Sequence, residues 1–291
     1  MSWRTVIISQ RAKLDYKMGY MSVRNEDGVQ KVFINEMHTL VIESTAVSIT
    51  AALLSELNKN KTKVIFCDEK HNPAFELVSY CGSHDTSAKI RNQMKWKDNI
   101  KKEVWQAIVK NKIFQQQSVL MEMEDTKYEL LKKYMSEVII GDETNREGHA
   151  AKVYFNAIFG NNFNRSDENG INATLDYGYG IILSTFNKEI ISLGYMTQIG
   201  IFHDNMFNRF NLTSDLMEPF RILVDRKVLS IRPNELTKEV KYKIINILNE
   251  YIIYEEQRTL VSVAIKRYCK NILAALDNSD VSLVKFYKYE L

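Results

Sequence analysis

The chain has few of the residues that break or cross-link a fold. Its 291 residues include only three prolines, eleven glycines and three cysteines. So few prolines and glycines argue against long flexible linkers. The cysteines (Cys67, Cys81 and Cys269) are odd in number and show no CxxC spacing. This number and spacing argue against a disulfide framework or a structural zinc site and indicate buried thiols in a reducing compartment.

Targeting segments and the common catalytic motifs are also missing. The N-terminus, MSWRTVIISQ, has no long apolar core, and no apolar run approaches the roughly 18 residues of a membrane helix. We therefore expect a cytoplasmic protein without a membrane span. The sequence contains no Walker loop, GxGxxG, HExxH or nucleophile elbow. Its candidate chemistry rests on a few acids and a histidine in the second half.

The charge balance leans basic without being extreme. The formal net charge is +3, the isoelectric point is near 8.5 and 26% of the residues are charged. This balance permits a nucleic-acid partner but does not require one. Hydrophobic residues make up 45% of the chain, which is enough for one large or two modest cores.

The predicted fold class is α+β, with strands first and helices second. Short β-branched or aromatic runs such as RTVIIS and KVIFC occupy residues 1–85, and NEDG (Asn25–Gly28) is a hairpin signal between two of them. One helix is predicted among them, around Val47–Leu57. Residues 86–291 show helical periodicity. We therefore predict a β-rich domain over 1–85 and an all-α domain over 86–291.

Glu147 lies in the stretch NREGHAAKVYF, at the predicted start of a helix. A carboxylate at this point could serve chemistry, with Gly148 leaving room for a backbone that approaches closely. Thr144-x-x-Glu147 also matches a capping box, in which the glutamate satisfies a backbone N–H. The pattern alone leaves both interpretations open.

His203 and Glu218 are separated by fifteen residues. On one continuous helix they would lie about 22 Å apart, at a rise of ~1.5 Å per residue. The stretch NLTSD (Asn211–Asp215) has the composition of a helix start, and Pro219 is tolerated only near such a start. We therefore predict that a helix carrying His203 ends near Phe210 and that a second begins near Ser214, with Glu218 in or just after its first turn. Two helices meeting there would let the two side chains converge.

Each of these residues also has an ordinary structural interpretation. His203 follows the apolar run MTQIGIF, and a histidine on such a face is often a satisfied core group. Glu218 could form a capping pair with Asp215, three residues before it. It could also belong to a surface ladder with Arg221 and Asp225.

A basic stretch, Ala88–Lys112, carries eight lysines and arginines against two acids, with Trp96 and Trp105 between them. Several cations on one helix can follow a nucleic-acid backbone. The same pattern is typical of a solvated helix face whose tryptophans pack in the core. Four lysines are the candidate DNA contacts, named here the lysine segment: Lys95, Lys97, Lys101 and Lys102.

Four motifs occur in a fixed order along the chain: NREGHAAKVYF, LDYGYGIIL, GIFHDN and SDLMEPFRILVD. Together, with their gaps, they resemble CRISPR-associated protein 1, the integrase family of CRISPR spacer acquisition. The resemblance covers essentially the whole chain, and the short start and the length resemble the type II-A branch. As an ordered set, the motifs are far more specific than any one of them alone.

The resemblance implies that Glu147, His203 and Glu218 are catalytic and bind a divalent metal. Two carboxylates and one imidazole suit Mg²⁺ or Mn²⁺ better than zinc. Asp215 and Arg221 would be auxiliary residues. Some relatives have asparagine where this chain has aspartate at position 176, so the role of Asp176 stays open.

The resemblance also implies an architecture and partners. The β-rich domain would be β-sandwich-like and form a homodimer, and the helical domain would be catalytic. Two dimers would flank a dimer of CRISPR-associated protein 2 and hold a DNA fragment. The expected activity is insertion of such fragments (spacers) into a CRISPR repeat array by attack of a 3′-hydroxyl on a phosphodiester. A structure-specific metal-dependent DNA nuclease and a non-catalytic DNA-binding scaffold are the alternatives.

Overall fold

The computed structural model describes residues 4–79 and 83–289. The chain divides into two compact units, Met1–Gly82 and Ser83–Leu291. Strands dominate the first unit and helices the second, so the predicted α+β class is confirmed.

In its described residues, the strand-rich unit consists mainly of short strands and one α-helix, whose N-cap is the side chain of Thr50. Its elements are β1 (Arg4–Ile8), β2 (Ala12–Lys17), β3 (Tyr20–Asn25), β4 (Gly28–Phe33), β5 (Met37–Ile42), β6 (Val47–Ile49), α1 (Ala51–Lys59), β7 (Lys63–Cys67) and β8 (Pro73–Glu76).

These strands form two four-stranded sheets, β1-β5-β7-β8 and β4-β3-β2-β6. Strand β5 pairs in parallel with β1 and β7, and β2 pairs in parallel with β6. The NEDG hairpin is confirmed, since Asn25 pairs with Gly28 across the turn between β3 and β4. Leu14, Leu40 and Leu53 are fully buried in one cluster drawn from both sheets and α1, which gives the unit a sandwich-like core.

The helical unit contains three long helices, which span Asp98–Glu122, Gly170–Ser192 and Asn211–Ile231. Its elements are α2 (Thr86–Gln93), α3 (Asp98–Glu122), α4 (Tyr128–Ser136), α5 (Arg146–Phe159), α6 (Gly170–Ser192), α7 (Asn211–Ile231), α8 (Lys238–Ile245), β9 (Tyr251–Tyr254), β10 (Gln257–Leu260), α9 (Val261–Asn278) and β11 (Tyr287–Lys288).

Helix α3 packs against α4, α5 and α7, and α6 packs against α7, α8 and α9. The apolar stripe of α3 includes Val104 and Ile108, both fully buried. Helices α6 and α7 approach closely at Gly178, where an added Cβ would lie 2.4 Å from Cγ1 of Val224. This packing brings α3, α5 and α7 together, the three helices that carry the acids and cations described below.

The helical unit also contains a small antiparallel sheet, which the prediction of an all-α domain lacked. Strand β9 lies between β10 and β11. Glu255 and Glu256 form the turn between β9 and β10, with φ of 49° and 57°. Neither residue is glycine or asparagine, the usual turn residues of a two-residue hairpin, so the sequence carries no hairpin signal here.

Cys67 and Cys269 are both buried, as predicted for thiols of this kind. Cys81 lies outside the described residues. Within the described ranges, the structure has no helix that combines the length and the apolar character needed to cross a membrane.

Candidate metal centre

Glu218 is carried by α7, which begins at Asn211, earlier than predicted. Glu218 therefore lies beyond the first turn, and Pro219 lies inside the helix. An interior proline costs roughly 3 kcal/mol in an isolated helix. Here Leu216 and Phe220 are fully buried on either side of it. Tertiary packing therefore outweighs the preference of Pro219 for the first turn of a helix, from which a start near Ser214 was predicted.

His203 lies in an irregular segment between α6 and α7, so the predicted helix that carried it is wrong. The amide of Asn211 holds this segment by donating to the carbonyls of Gln198 and Asn205, each at 3.0 Å. Gly200 is required by close approach, because an added Cβ would lie 2.3 Å from the carbonyl oxygen of His203. These long-range contacts replace helical hydrogen bonds, and periodicity does not reveal them.

Asp215 organises the segment around His203. Its Oδ2 accepts from the backbone N–H groups of Ile201 and Phe202, at 2.7 and 3.1 Å. Its Oδ1 accepts from the N–H of His203 at 3.0 Å and lies 2.6 Å from Nδ1 of the same residue. The side chain is fully buried and each oxygen has two partners. Asp215 therefore orients His203, which leaves Nε2 as the nitrogen that can bind a metal.

The same contact shifts the pKa of the imidazole. The hydrogen bond with Asp215 raises the pKa of His203, with burial acting in the opposite direction. The charges of Glu218 and Glu147 raise it further, so both glutamates act electrostatically on the histidine.

Glu147 lies in the first turn of α5, but it does not cap the helix. The cap is the side chain of Asn145, which accepts from the N–H of Gly148 at 3.2 Å. The buried carboxylate of Asp142 accepts from the N–H groups of Arg146 and Glu147, at 2.9 and 3.0 Å. The capping-box interpretation of Glu147 is therefore wrong. The Glu147 carboxylate instead contacts a side chain of another helix.

That side chain belongs to Lys112, on α3. Its Nζ lies 2.5 Å from Oε1 of Glu147 and 2.5 Å from Oε2 of Glu218. Burial alone would lower the pKa of Lys112, but the charges of Glu218 and Glu147 outweigh it and raise the pKa above its ordinary value. The side chain is thus a buried ammonium held between two carboxylates.

Glu218 has a second cationic neighbour. Nε of Arg221 lies 3.0 Å from its Oε1. Burial would raise the pKa of Glu218, but Arg221 and Lys112 outweigh burial and lower it. The guanidinium also lies 4.8 Å from the centre of the Tyr179 ring. Glu218 is therefore an ionised, buried carboxylate, which fits a role as a ligand.

The surface-ladder interpretation of this helix face is wrong. Asp225 is 1% exposed and accepts a hydrogen bond of 2.5 Å from the hydroxyl of Tyr179. Burial raises the pKa of Asp225 to about 7. Asp176, whose role the sequence left open, is mostly exposed and forms an ion pair with Arg165.

An aromatic stack connects α3 to the histidine segment. The rings of Trp105 and Phe202 lie 4.3 Å apart and are tilted by only 6°. The ring of His203 meets Trp105 edge-on, with centroids 5.9 Å apart. Trp105 is buried, as the core interpretation of the basic stretch predicted. It therefore helps to fix the segment that presents His203.

The lysine segment spans a break between α2 and α3 and not one long helix. Lys95 and Lys97 are exposed in that break. Lys101 lies 3.0 Å from Asp98, and Lys102 lies 3.4 Å from Glu143. These are surface ion pairs, which contribute about 0–1 kcal/mol and are easily exchanged for other anions.

Whether the site suits a metal ion can be judged from its donors. Among the described residues, no three histidine, cysteine or acidic side chains stand together in ligating geometry. Instead, Glu147 and Glu218 converge on Lys112, with His203 within electrostatic range. Two carboxylates and an imidazole fit Mg²⁺ or Mn²⁺. The Lys112 ammonium supplies the positive charge that such an ion would bring.

The fold and this centre define a class: an α+β protein with a carboxylate and imidazole centre in its helical unit. The family model for "CRISPR associated protein Cas1" matches residues 5–266. The chain therefore belongs to the Cas1 family, as the motifs predicted. The narrower type II-A resemblance stays a prediction.

Individual relatives agree with the family. The chain is 30% identical to "CRISPR-associated endonuclease Cas1" of Neisseria meningitidis serogroup C (strain 8013), over 100% of both chains. A solved structure called "Casposase bound to integration product" has a TM-score of 0.78 at 16% identity, with 97% of this chain and 93% of that chain covered. "Cas6-RT-Cas1--Cas2 complex" has a TM-score of 0.76 at 17% identity. It matches 99% of this chain, which spans only 36% of that one.

Proposed function

We propose that this protein is a metal-dependent DNA integrase that joins short DNA fragments to a CRISPR repeat. The observation that carries the proposal is the pair of buried carboxylates, Glu147 and Glu218, which converge on one cation beside an oriented His203. Family membership supports it, because a curated relative matched over its full length is named an endonuclease. The fold shared with a casposase bound to an integration product agrees with strand joining.

Glu147, Glu218 and Nε2 of His203 would hold Mg²⁺ or Mn²⁺, which, when bound, supplies a Lewis acid for the scissile phosphodiester. In the joining step, a DNA 3′-hydroxyl oxygen bonds to phosphorus while the bond to the outgoing 3′-oxygen breaks. Asp215 keeps His203 in one tautomer throughout. Arg221, whose side chain is 30% exposed beside Glu218, adds a positive charge where a phosphate would approach.

DNA and a Cas2 protein are the partners in this proposal. The name of the matched Cas6-RT-Cas1–Cas2 complex supports Cas2, and that of the casposase structure supports DNA. We further propose that the strand-rich unit forms the homodimer and that two dimers act together. The lysine segment, exposed at Lys95, Lys97 and Lys102 and paired only in surface ion pairs, is the proposed contact with DNA phosphates.

The experiment incubates the protein with Cas2, a DNA fragment labelled at its 3′-end and a supercoiled plasmid carrying a repeat, with and without Mn²⁺. An integrase transfers the label to the plasmid in a metal-dependent manner. A structure-specific nuclease would use water in place of the 3′-hydroxyl and yield shortened labelled DNA with no label on the plasmid. A scaffold would bind the DNA and leave it chemically unchanged. Either of these last two outcomes would overturn the proposal.

A further inference from the structure

Lys112 makes two short contacts inside the candidate centre. Its Nζ lies 2.5 Å from one oxygen of Glu147 and 2.5 Å from one oxygen of Glu218. The residue is only 8% exposed, so the ammonium has little access to water. The two glutamates come from α5 and α7, and in the described structure Lys112 is the residue that bridges them. It lies where a divalent ion bound by both would lie.

The charges of this cluster are balanced without a metal. Glu147 and Glu218 bring two negative charges, and Lys112 and Arg221 bring two positive charges. A divalent ion added to this set would leave a surplus of two positive charges in a buried site. Like charges about 4 Å apart repel strongly when water does not screen them. Lys112 and a divalent ion therefore cannot both contact the same two oxygens at low cost.

The side chain of Lys112 is flexible enough to move away from Glu147 and Glu218. It has a flexible four-carbon stem and a single charged end, unlike the rigid fork of an arginine. Asp225, two turns along α7 from Glu218, is a buried carboxylate whose charge also interacts with Lys112. An ammonium that left the glutamates would therefore find a second acid nearby.

We propose that Lys112 competes with the metal for Glu147 and Glu218: its ammonium holds the two carboxylates together in the metal-free protein and is displaced when the ion binds. This inference rests on the proposed function, because it needs the metal site. The competition has two consequences for the centre. The metal-free centre is stable because its carboxylates are neutralised, and metal affinity is lower than the two carboxylates and the imidazole alone would give.

The test is direct Mn²⁺ binding to the full-length, metal-free protein, measured by the EPR signal of free Mn²⁺ during titration. Lys112→Met removes the ammonium and keeps an unbranched apolar stem. We expect it to bind Mn²⁺ at least tenfold more tightly than the wild type. Lys132→Met, a control at an exposed lysine of α4 that is outside the proposed DNA contacts, should bind like the wild type. Unchanged or weaker binding by Lys112→Met would overturn the competition, because it would mean that the lysine supports the metal site.

Thermal melting gives a second readout that does not depend on activity. Without metal, Lys112→Met should have a lower melting temperature than the wild type, because its two carboxylates then repel each other. Adding Mn²⁺ should raise the melting temperature of the variant more than that of the wild type. If Lys112→Met does not fold without metal, Lys112→Gln, whose amide still donates a hydrogen bond, takes its place with the same expected direction. A wild type and a variant that both bind no Mn²⁺ would instead overturn the metal site and the proposed function with it.

Discussion

The start and the middle of helix α3 carry the same residue type in opposite surroundings. Near its start, Lys102 is half exposed and lies 3.4 Å from the carboxylate of Glu143. Further along, Lys112 is buried and lies 2.5 Å from both Glu147 and Glu218. The contrast shows that a lysine's role is decided by the acids that fold against it. We propose that the exposed start exchanges its partners for DNA phosphates, whereas the buried middle belongs to the candidate centre.

The largest expected change in stability distinguishes the acid beside Lys112 from the acid beside Lys102. Glu218→Gln leaves Lys112 and Arg221 with one carboxylate fewer in a buried site, and breaking a buried pair costs roughly 3–5 kcal/mol. Glu143→Gln breaks only the exposed pair with Lys102 and should change the unfolding free energy by at most about 1 kcal/mol. Urea denaturation of the metal-free proteins measures both values. Equal small losses of stability in the two variants would mean that the surroundings of Lys102 and Lys112 do not differ as described.

A pH dependence is expected from Asp225, which is buried on α7 and interacts with the charge of Lys112. Burial raises the pKa of Asp225 to about 7. Between its ordinary value and that pKa, the folded state binds the proton and the unfolded state does not, so stability falls as pH rises through this window. The loss is about 1.4 kcal/mol per pH unit, or about 3 kcal/mol from pH 5 to pH 8. Asp225→Asn removes this titration, so its urea midpoint should fall less over the same range. Parallel curves for variant and wild type would contradict the assignment.

The proposed role of the lysine segment is tested by salt dependence. Replacing the lysine segment with alanine should weaken binding to all DNA sequences alike and lower the salt slope by roughly 0.9 for each DNA phosphate that a lysine no longer neutralises. Fluorescence anisotropy at a series of salt concentrations measures the slope. An unchanged slope would remove this surface from the DNA interface. The charge-matched control replaces four exposed lysines of the strand-rich unit, Lys31, Lys59, Lys61 and Lys70.

The smallest effect concerns the stack that connects α3 to the histidine segment. Phe202→Leu keeps an apolar side chain but removes the ring that stacks on Trp105. An aromatic pair contributes about 0.5–1.5 kcal/mol beyond its buried area, so a decrease in stability near 1 kcal/mol is expected. Urea denaturation followed by tryptophan emission measures it. Stability equal to the wild type would mean that the stack does not help to hold the segment.

The sequence predicted the site acids better than their surroundings. Glu147, His203 and Glu218 were found because they stand in ordered motifs, and their assignment as metal ligands stays a prediction. Asp215 was expected as an auxiliary acid, but its contacts with three backbone N–H groups became visible only in the fold. Such contacts form between segments that local periodicity treats separately.

Lys112 was missed, although the sequence contains a signal for it. It was counted with the other cations of the basic stretch. Yet Val104, Ile108 and Lys112 recur every four residues, so the lysine continues the buried stripe of α3. A charge at such a position indicates a buried partner. The partners themselves, Glu147 and Glu218, lie 35 and 106 residues away, and only tertiary packing brings them to it.

The most direct test of the candidate centre is strand joining by its variants, with Cas2 and Mn²⁺ present. Glu147→Gln and His203→Ala should still bind DNA but lose joining by orders of magnitude, because each removes a proposed ligand. Glu143→Gln, an acid just before α5 whose side chain is 66% exposed, should join strands like the wild type. Robust Mn²⁺-dependent joining by Glu147→Gln or His203→Ala would contradict the assignment of this centre.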